Sequence, residues 1–279
     1  MISFPNSKIN IGLRVFDKRS DGFHNIASIF YPVNWADALE IISSSQFNFQ
    51  TSGVTIDVPS ENNLCVRAYR LLQHEFDLPP VNIFLLKYIP LGAGLGGGSS
   101  DAAFLLKMMN DFFELKLSHE KLLQVAESIG SDCGFFLENK PCLVSGKGEI
   151  MQPVDLNLSG HFIVLVYPGI QVDTSTAYRK LDLLRSDKTQ HETVHQSTTL
   201  REIIKQPITS WKDQVLNEFE RVVFGDFPML AALKDELYRS GALYASMSGS
   251  GSTVYGIYKE KPDLPSFPEE YRVFSGMLK

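Results

Sequence analysis

Apolar and polar residues alternate near the start of the chain. Over residues 8–16, Ile9, Ile11, Leu13 and Val15 fall on one face, and Lys8, Asn10, Gly12 and Arg14 on the other. A period of two predicts a half-buried strand with a polar face. Apolar runs at 26–33, 38–42 and 54–58 predict further strands. Over 62–76 the spacing becomes helical, with Leu64, Ala68, Leu71 and Leu72 on one side and Asn62 or Asn63 as the cap. A strand-like run at 81–89 comes next, then helices at about 100–115 and 119–129, the second capped by Ser118. Strands come first and helices come after, with no strand behind each helix. That order favours an α+β fold over a doubly wound sheet.

A second half begins near Pro153, which predicts domains at 1–152 and 153–279. Residues 162–167 read as a strand ended by a Pro168-Gly169 turn. Thr174 starts a short helix carrying Ala177, Tyr178 and Leu181. Residues 185–199 are polar and predict a loop, while 215–224 and 229–237 look helical. Strands at 243–247 and 253–258 flank a run of Ser and Gly at 248–252.

Composition narrows the function classes. A formal net charge of −6 argues against a dominant nucleic-acid role, because phosphate-backbone binding usually brings a basic balance. Cys65, Cys133 and Cys142 are odd in number and lack Cys-x-x-Cys spacing, which suits reduced thiols in a cytoplasmic compartment. Residues 1–10 are mixed rather than leader-like, and no apolar string is long enough to span a bilayer. The expected partner is a small molecule, not a nucleic acid or a membrane.

The sharpest chemical signal is Pro90-Leu-Gly-Ala-Gly-Leu-Gly-Gly-Gly-Ser-Ser-Asp-Ala-Ala103. Gly92, Gly94, Gly96, Gly97 and Gly98 crowd into seven residues, where a plain turn needs one or two. With a strand before and a helix after, amides of the loop and the helix start form an anion cradle. A Walker A loop needs a lysine before the serine, and none is present. Gly92, Gly94 and Gly97 match a dinucleotide fingerprint, but the next elements are helix, loop, helix rather than a βαβ unit. No His-Arg-Asp or Asp-Phe-Gly accompanies the loop, so a protein-kinase reading fails.

This segment resembles the second motif of the GHMP kinases, the superfamily of galactokinase, homoserine kinase and mevalonate kinase. Pro5-x-x-Lys8-Ile9-Asn10 resembles their first motif and Met247-Ser-Gly-Ser-Gly-Ser252 their third. Lys8-Ile-Asn-Ile-Gly-Leu13, Arg19-Ser-Asp-Gly-Phe-His24, Asn63-Leu-Cys-Val-Arg-Ala68, Gly130-Ser-Asp132 and Tyr167-Pro-Gly169 are similar, in order, to the branch whose acceptor is 4-diphosphocytidyl-2-C-methyl-D-erythritol. The resemblance spans about the whole chain. Phe23 stands where many relatives carry Tyr, Asp101 where some carry Asn, and Cys133-Gly134 where an aliphatic pair is usual.

The resemblance implies a two-domain fold, an N-terminal ATP-binding domain and a C-terminal α/β sandwich-like domain with a cleft between. It implies ATP-dependent phosphorylation of a hydroxyl in the methylerythritol phosphate route to isoprenoids, by a monomer or weak homodimer. Pro90, Leu91, Gly92, Ala93, Gly94, Leu95, Gly96, Gly97, Gly98, Ser99 and Ser100 would hold the β- and γ-phosphates, with Mg²⁺ on the Ser100 hydroxyl or that of Ser99. Asp132 would accept the hydroxyl proton and Lys8 would neutralise charge; without the resemblance they read as a turn or cap aspartate and a solvated strand lysine. Asn10, Phe23, His24 and Tyr178 would meet the cytidyl acceptor; as residues alone, Phe23 and Tyr178 read equally as core packing. Thr174 either touches the acceptor or caps a helix. Lys87, Asn63 and Arg67 would meet adenine and ribose, or else are exposed surface. A rival from another class is His191-Glu-Thr-Val-His195, which matches the zinc-protease spacing, but it lies in a Gln/Thr/Ser-rich stretch without an amphipathic stripe.

Overall fold

The computed structural model describes residues 1–56, 59–186 and 196–279. The elements in chain order are β1 (Ile2–Ser3), β2 (Asn6–Lys18), β3 (His24–Ala36), β4 (Ala38–Ser43), β5 (Asn48–Gly53), α1 (Leu64–Phe76), β6 (Val81–Lys87), α2 (Gly97–Phe112), α3 (His119–Ile129) and α4 (Cys133–Glu138). Then come β7 (Cys142–Ser145), β8 (Ile150–Pro153), β9 (Phe162–Tyr167), α5 (Thr174–Ser186), α6 (Gln196–Ile203), α7 (Glu220–Asp226), α8 (Pro228–Arg239), β10 (Tyr244–Met247), β11 (Val254–Tyr258) and β12 (Arg272–Met277). The class is α+β. No helix among the described residues is long and apolar enough to cross a membrane.

The chain forms two compact units. Residues 1–8, 34–91 and 96–140 make one, and residues 9–33, 92–95 and 141–279 the other. The division therefore differs from a single break at 152/153, because early segments and four loop residues belong with the C-terminal part. The first unit holds a sheet in the order β1-β4-β6-β5 and the helices α1 to α4. Asn63 caps α1 by accepting the Cys65 amide, and Cys65, Val66, Ala68, Tyr69 and Leu72 form its buried face. Ser118 caps α3 through the Lys121 amide.

The second unit holds two sheets, β2-β3-β7-β8 and β10-β11-β9-β12. In the latter every pairing is antiparallel, and α8 packs on β10 and β11. The apolar run 163–167 is buried throughout, as a central strand requires.

Three expectations fail for local reasons. The strand expected at 54–58 ends before it begins: β5 stops at Gly53, residues 54–56 are not in a strand, and 57 and 58 lie outside the described residues. β5 is a largely exposed edge strand, so its sequence carries no apolar alternation to find. Residues 215–219 do not begin α7. Leu13 and Asn217 form a parallel bridge instead, with Leu13 N–H bonded to Leu216 O and Glu218 N–H to Leu13 O. Of the loop expected at 185–199, both ends are helical, since α5 runs to Ser186 and α6 begins at Gln196, and residues 187–195 lie outside the described residues.

Candidate active site

The glycine loop is bound through its carbonyls. None of residues 90–96 lies in a strand. Ala93 O accepts from the Thr253 amide, Gly94 O from Ser248 Oγ at 2.8 Å, and Gly96 O from the Ser100 amide. That arrangement turns the loop's fixing onto its acceptors, and the N–H groups of Gly97, Gly98 and Ser99, which precede the first bond of α2, have no intrahelical partner to take them. Gly96 caps α2 in the left-handed region (φ 68°). The helix starts at Gly97, so Ser99 and Ser100 sit inside its first turn rather than opening it. The third glycine-serine motif packs on the second: a Cβ on Gly94 would stand 2.0 Å from Ser248 O. Asn217, which the sequence did not single out, donates from Nδ2 to Met247 O and Gly249 O and fixes that motif.

Lys8 and Asp132 meet in the first unit. The Lys8 ammonium lies 3.5 Å from Asp132 Oδ2. Its Cε passes within 3.2 Å of where a Cβ on Gly96 would stand, beside the cap of α2. The alternative reading of Lys8 as a solvated strand lysine does not hold, because Lys8 is only 3% exposed and the polar face of β2 is largely buried with the apolar one. Burial pulls the Lys8 pKa down, and the Asp132 charge opposes that pull. Asp132 occupies the N-cap position of α4, yet its side chain makes no capping bond. It stays 27% exposed and accepts from Ser131 Oγ at 3.4 Å. A carboxylate aimed at a buried ammonium and open to solvent can take a proton from a hydroxyl brought to it.

Lys87 is neither exposed nor open to a nucleotide. Its ammonium is buried between Asp37 and Asp101 and lies 3.0 Å from the position of a Cβ on Gly97. Burial would lower its pKa, but the two carboxylates outweigh burial and raise it. Two carboxylates share one ammonium. Burial therefore pushes Asp101 up to about 7, and Asp37 adds to the push while Lys87 opposes it. An unfolded aspartate titrates near 3.9, so across the window from about 4 to about 7 the folded chain holds a proton the unfolded chain has lost. Stability from this group falls as pH rises through that window. Thermal melts of Asp101→Asn are expected to show an advantage over the unaltered chain that grows from pH 4 to 7 and then levels off. An advantage independent of pH contradicts the assignment.

The second unit gathers aromatic and polar side chains. His24 Nε2 lies 2.8 Å from Asp182 Oδ1, and its ring stacks on Tyr178 at 4.9 Å with an interplanar angle of 11°. Tyr178 meets Phe219 edge-on. Phe23 is 58% exposed under the Lys147 ammonium, so core packing is not its role. Asn10 is buried and donates from Nδ2 to Ser28 Oγ at 2.9 Å. Thr174 Oγ1 pairs with Ser250 Oγ of the third motif. It does not cap α5; Asp173 does, accepting from the Thr176 amide at 2.7 Å.

The remaining expectations divide. Ser100 Oγ is sealed from solvent and has no hydrogen-bond partner, so a metal at the loop cannot reach it as it stands. Ser99 is partly open, with its hydroxyl near the Cys133 thiol. Burial pushes that thiol up to about 11, which leaves it protonated and unreactive. Asn63 is occupied as the α1 cap, and Arg67 reaches Ser128 O. His191 and His195 lie outside the described residues. Among the described residues no three His, Cys, Asp or Glu side chains group to hold a metal ion.

Comparison with known proteins supports the grouping of these motifs. Residues 63–138 match the family described as GHMP kinases N terminal domain, and residues 200–272 match GHMP kinases C terminal. The 4-diphosphocytidyl-2-C-methyl-D-erythritol kinase of Bacteroides fragilis (strain YCH46) is 48% identical over 268 residues, covering 95% of this chain and 94% of that one. The chain belongs to the 4-diphosphocytidyl-2-C-methyl-D-erythritol kinase family. Another relative of that name, from Parabacteroides distasonis, is 47% identical over 94% of this chain and 93% of its own. A solved 4-(cytidine 5'-diphospho)-2C-methyl-D-erythritol kinase superposes with a TM-score of 0.78 at 27% identity, over 99% of this chain and 98% of that one. The mevalonate kinase of Methanococcus jannaschii, at 13% identity, shares the fold with a TM-score of 0.70 over 100% of this chain and 98% of its own.

Proposed function

We propose that this family member transfers the γ-phosphoryl group of ATP to the 2-hydroxyl of 4-diphosphocytidyl-2-C-methyl-D-erythritol, giving the 2-phosphate and ADP. The observation that carries the chemistry is the buried Lys8 ammonium paired with Asp132 beside the glycine cap of α2. Family membership carries the acceptor.

Each group of residues has its own task. Amides of the loop and of the first turn of α2 bind the phosphates, and the positive end of a 16-residue helix adds to their pull. Asp132 takes the acceptor's 2-hydroxyl proton as that oxygen bonds to the γ-phosphorus. The bond from the γ-phosphorus to the bridging oxygen breaks, and ADP leaves with that electron pair. Lys8 offsets the charge that collects on the transferring group, in a site where burial strengthens its effect. Magnesium would neutralise phosphate charge when bound, and of the two loop hydroxyls the partly open one of Ser99 would be the one to hold it. In the second unit, Phe23, His24 and Tyr178 offer ring faces to a cytosine, and Asn10 and Thr174 offer polar groups to the rest of the acceptor.

Comparing kcat/KM for ADP release across acceptors tests the reading. The cytidyl alcohol is expected to exceed homoserine and mevalonate by at least about 10³-fold, since stacking and hydrogen-bonding groups built for a base go unused by the smaller alcohols. Comparable rates with either small alcohol would move the assignment to another GHMP kinase activity.

A further inference from the structure

Asp37 lies between β3 and β4, and its side chain has no exposure. One carboxylate oxygen accepts the amides of Tyr88 at 2.5 Å and Ile89 at 2.8 Å, the two residues before Pro90. β6 ends at Lys87, so these two amides have left the strand ladder and Asp37 takes them in its place. The other oxygen holds the Lys87 ammonium. The same ammonium bonds Asp101 Oδ2 at 2.7 Å, in the second turn of α2. One buried cluster thus grips both stems of the glycine loop, the strand end that leads in and the helix that leads out.

We propose that Asp37 is a positioning residue for the nucleotide, fixing the two stems of the glycine loop so that the loop amides meet the phosphates already in place. This rests on reading the loop as the ATP phosphate cradle. A preformed anion site loses less freedom on binding, so an error at its stems appears as lost affinity for the anion that it holds. It does not appear as lost affinity for the acceptor, whose groups lie elsewhere in the chain.

Asp37→Asn keeps the shape of the side chain. Its one carbonyl oxygen still serves the Tyr88 and Ile89 amides, but its NH₂ then faces the Lys87 ammonium, donor against donor. Asp101→Asn is the contrast, because it can turn an oxygen to Lys87 while Asp37 remains. Calorimetric titration of the full chain with ATP, and separately with the cytidyl acceptor, reads the difference. Asp37→Asn is expected to weaken ATP binding about tenfold, the loss of one charge-assisted bond, with acceptor binding changed less than about twofold. Asp101→Asn is expected to leave both within about twofold. Unchanged ATP affinity in Asp37→Asn, or equal weakening of both ligands, overturns the proposal.

Should Asp37→Asn not fold, hydrogen exchange on the unaltered chain decides. Tyr88 and Ile89 are expected to exchange slowly before ATP is added, and the loop amides to slow only once it binds. Fast exchange at Tyr88 and Ile89 that ATP alone suppresses overturns the proposal. A failure of the unaltered chain to bind ATP is a different result, which removes the cradle reading and this one with it.

Discussion

Asp132→Asn is expected to lower kcat by about 10²–10⁴-fold, the range that a positioned general base contributes, with the fold intact. The amide keeps the size of the carboxylate but cannot accept a proton. The fold should not suffer, because Asp132 makes no capping bond to α4 and keeps 27% of its side chain in solvent. KM for ATP should change little, since the loop amides and not Asp132 meet the phosphates. Lys8→Met is expected to lose a comparable part of the rate. It removes the ammonium that faces Asp132, and it should cost more stability, because Lys8 is buried where Asp132 is not. If the two groups act as a unit, the double variant should be scarcely slower than the worse single one. Steady-state rates with melting curves for the three variants check all of this. Near-normal turnover in Asp132→Asn removes the residue from the role.

Gly94→Ala is expected to be the most damaging single change in the loop. The residue sits at φ 78°, a region that costs an L side chain roughly 1–2 kcal/mol. Its Cβ would also stand 2.0 Å from the Ser248 carbonyl oxygen, and backbone cannot swing aside as a side-chain tip can. The loop must part from the third motif, so both melting temperature and ATP affinity should fall. Two neighbours serve as controls. Gly92 shares the positive φ, but its nearest atom is 4.0 Å away, so Gly92→Ala should show the conformational cost alone. Gly98→Ala, with helical backbone and 3.8 Å of clearance, should melt close to the unaltered chain. Equal melting temperatures for the Gly94 and Gly92 variants would remove the packing of the two motifs as the cause.

Much of this was legible in the sequence, and the reasons are specific. The helices α1 and α3 announce themselves because each buries one continuous face and begins at a cap residue, and the strand β9 because it is an unbroken apolar run buried on both faces. The glycine run marked the loop because backbone conformation and close approach depend on residue type at those positions. Burial of polar side chains was not legible. Alternation along β2 placed Lys8 and Asn10 opposite the apolar face, but only tertiary partners show that this face is buried too: Asp132 for Lys8, Ser28 for Asn10. Asp37, Asn217 and Asp182 were missed for the same reason. Each acts through bonds to residues 30 to 158 positions away, and no local pattern encodes such distances. Glu220 is a nearer case of the same kind: it accepts the amide of Met247, 27 positions away, and pairs with Lys234, 14 positions away. Ser100 and Ser99 look alike in sequence, and only the start of α2 at Gly97 decides which hydroxyl is sealed.

The most direct measurement is the structure of the product. Purified chain, ATP and 4-diphosphocytidyl-2-C-methyl-D-erythritol should give one new phosphomonoester signal by phosphorus NMR, coupled to the methyl-bearing carbon C2, in amounts equal to the ADP released. ADP formed without that signal, or a phosphate on a different hydroxyl, would contradict the account.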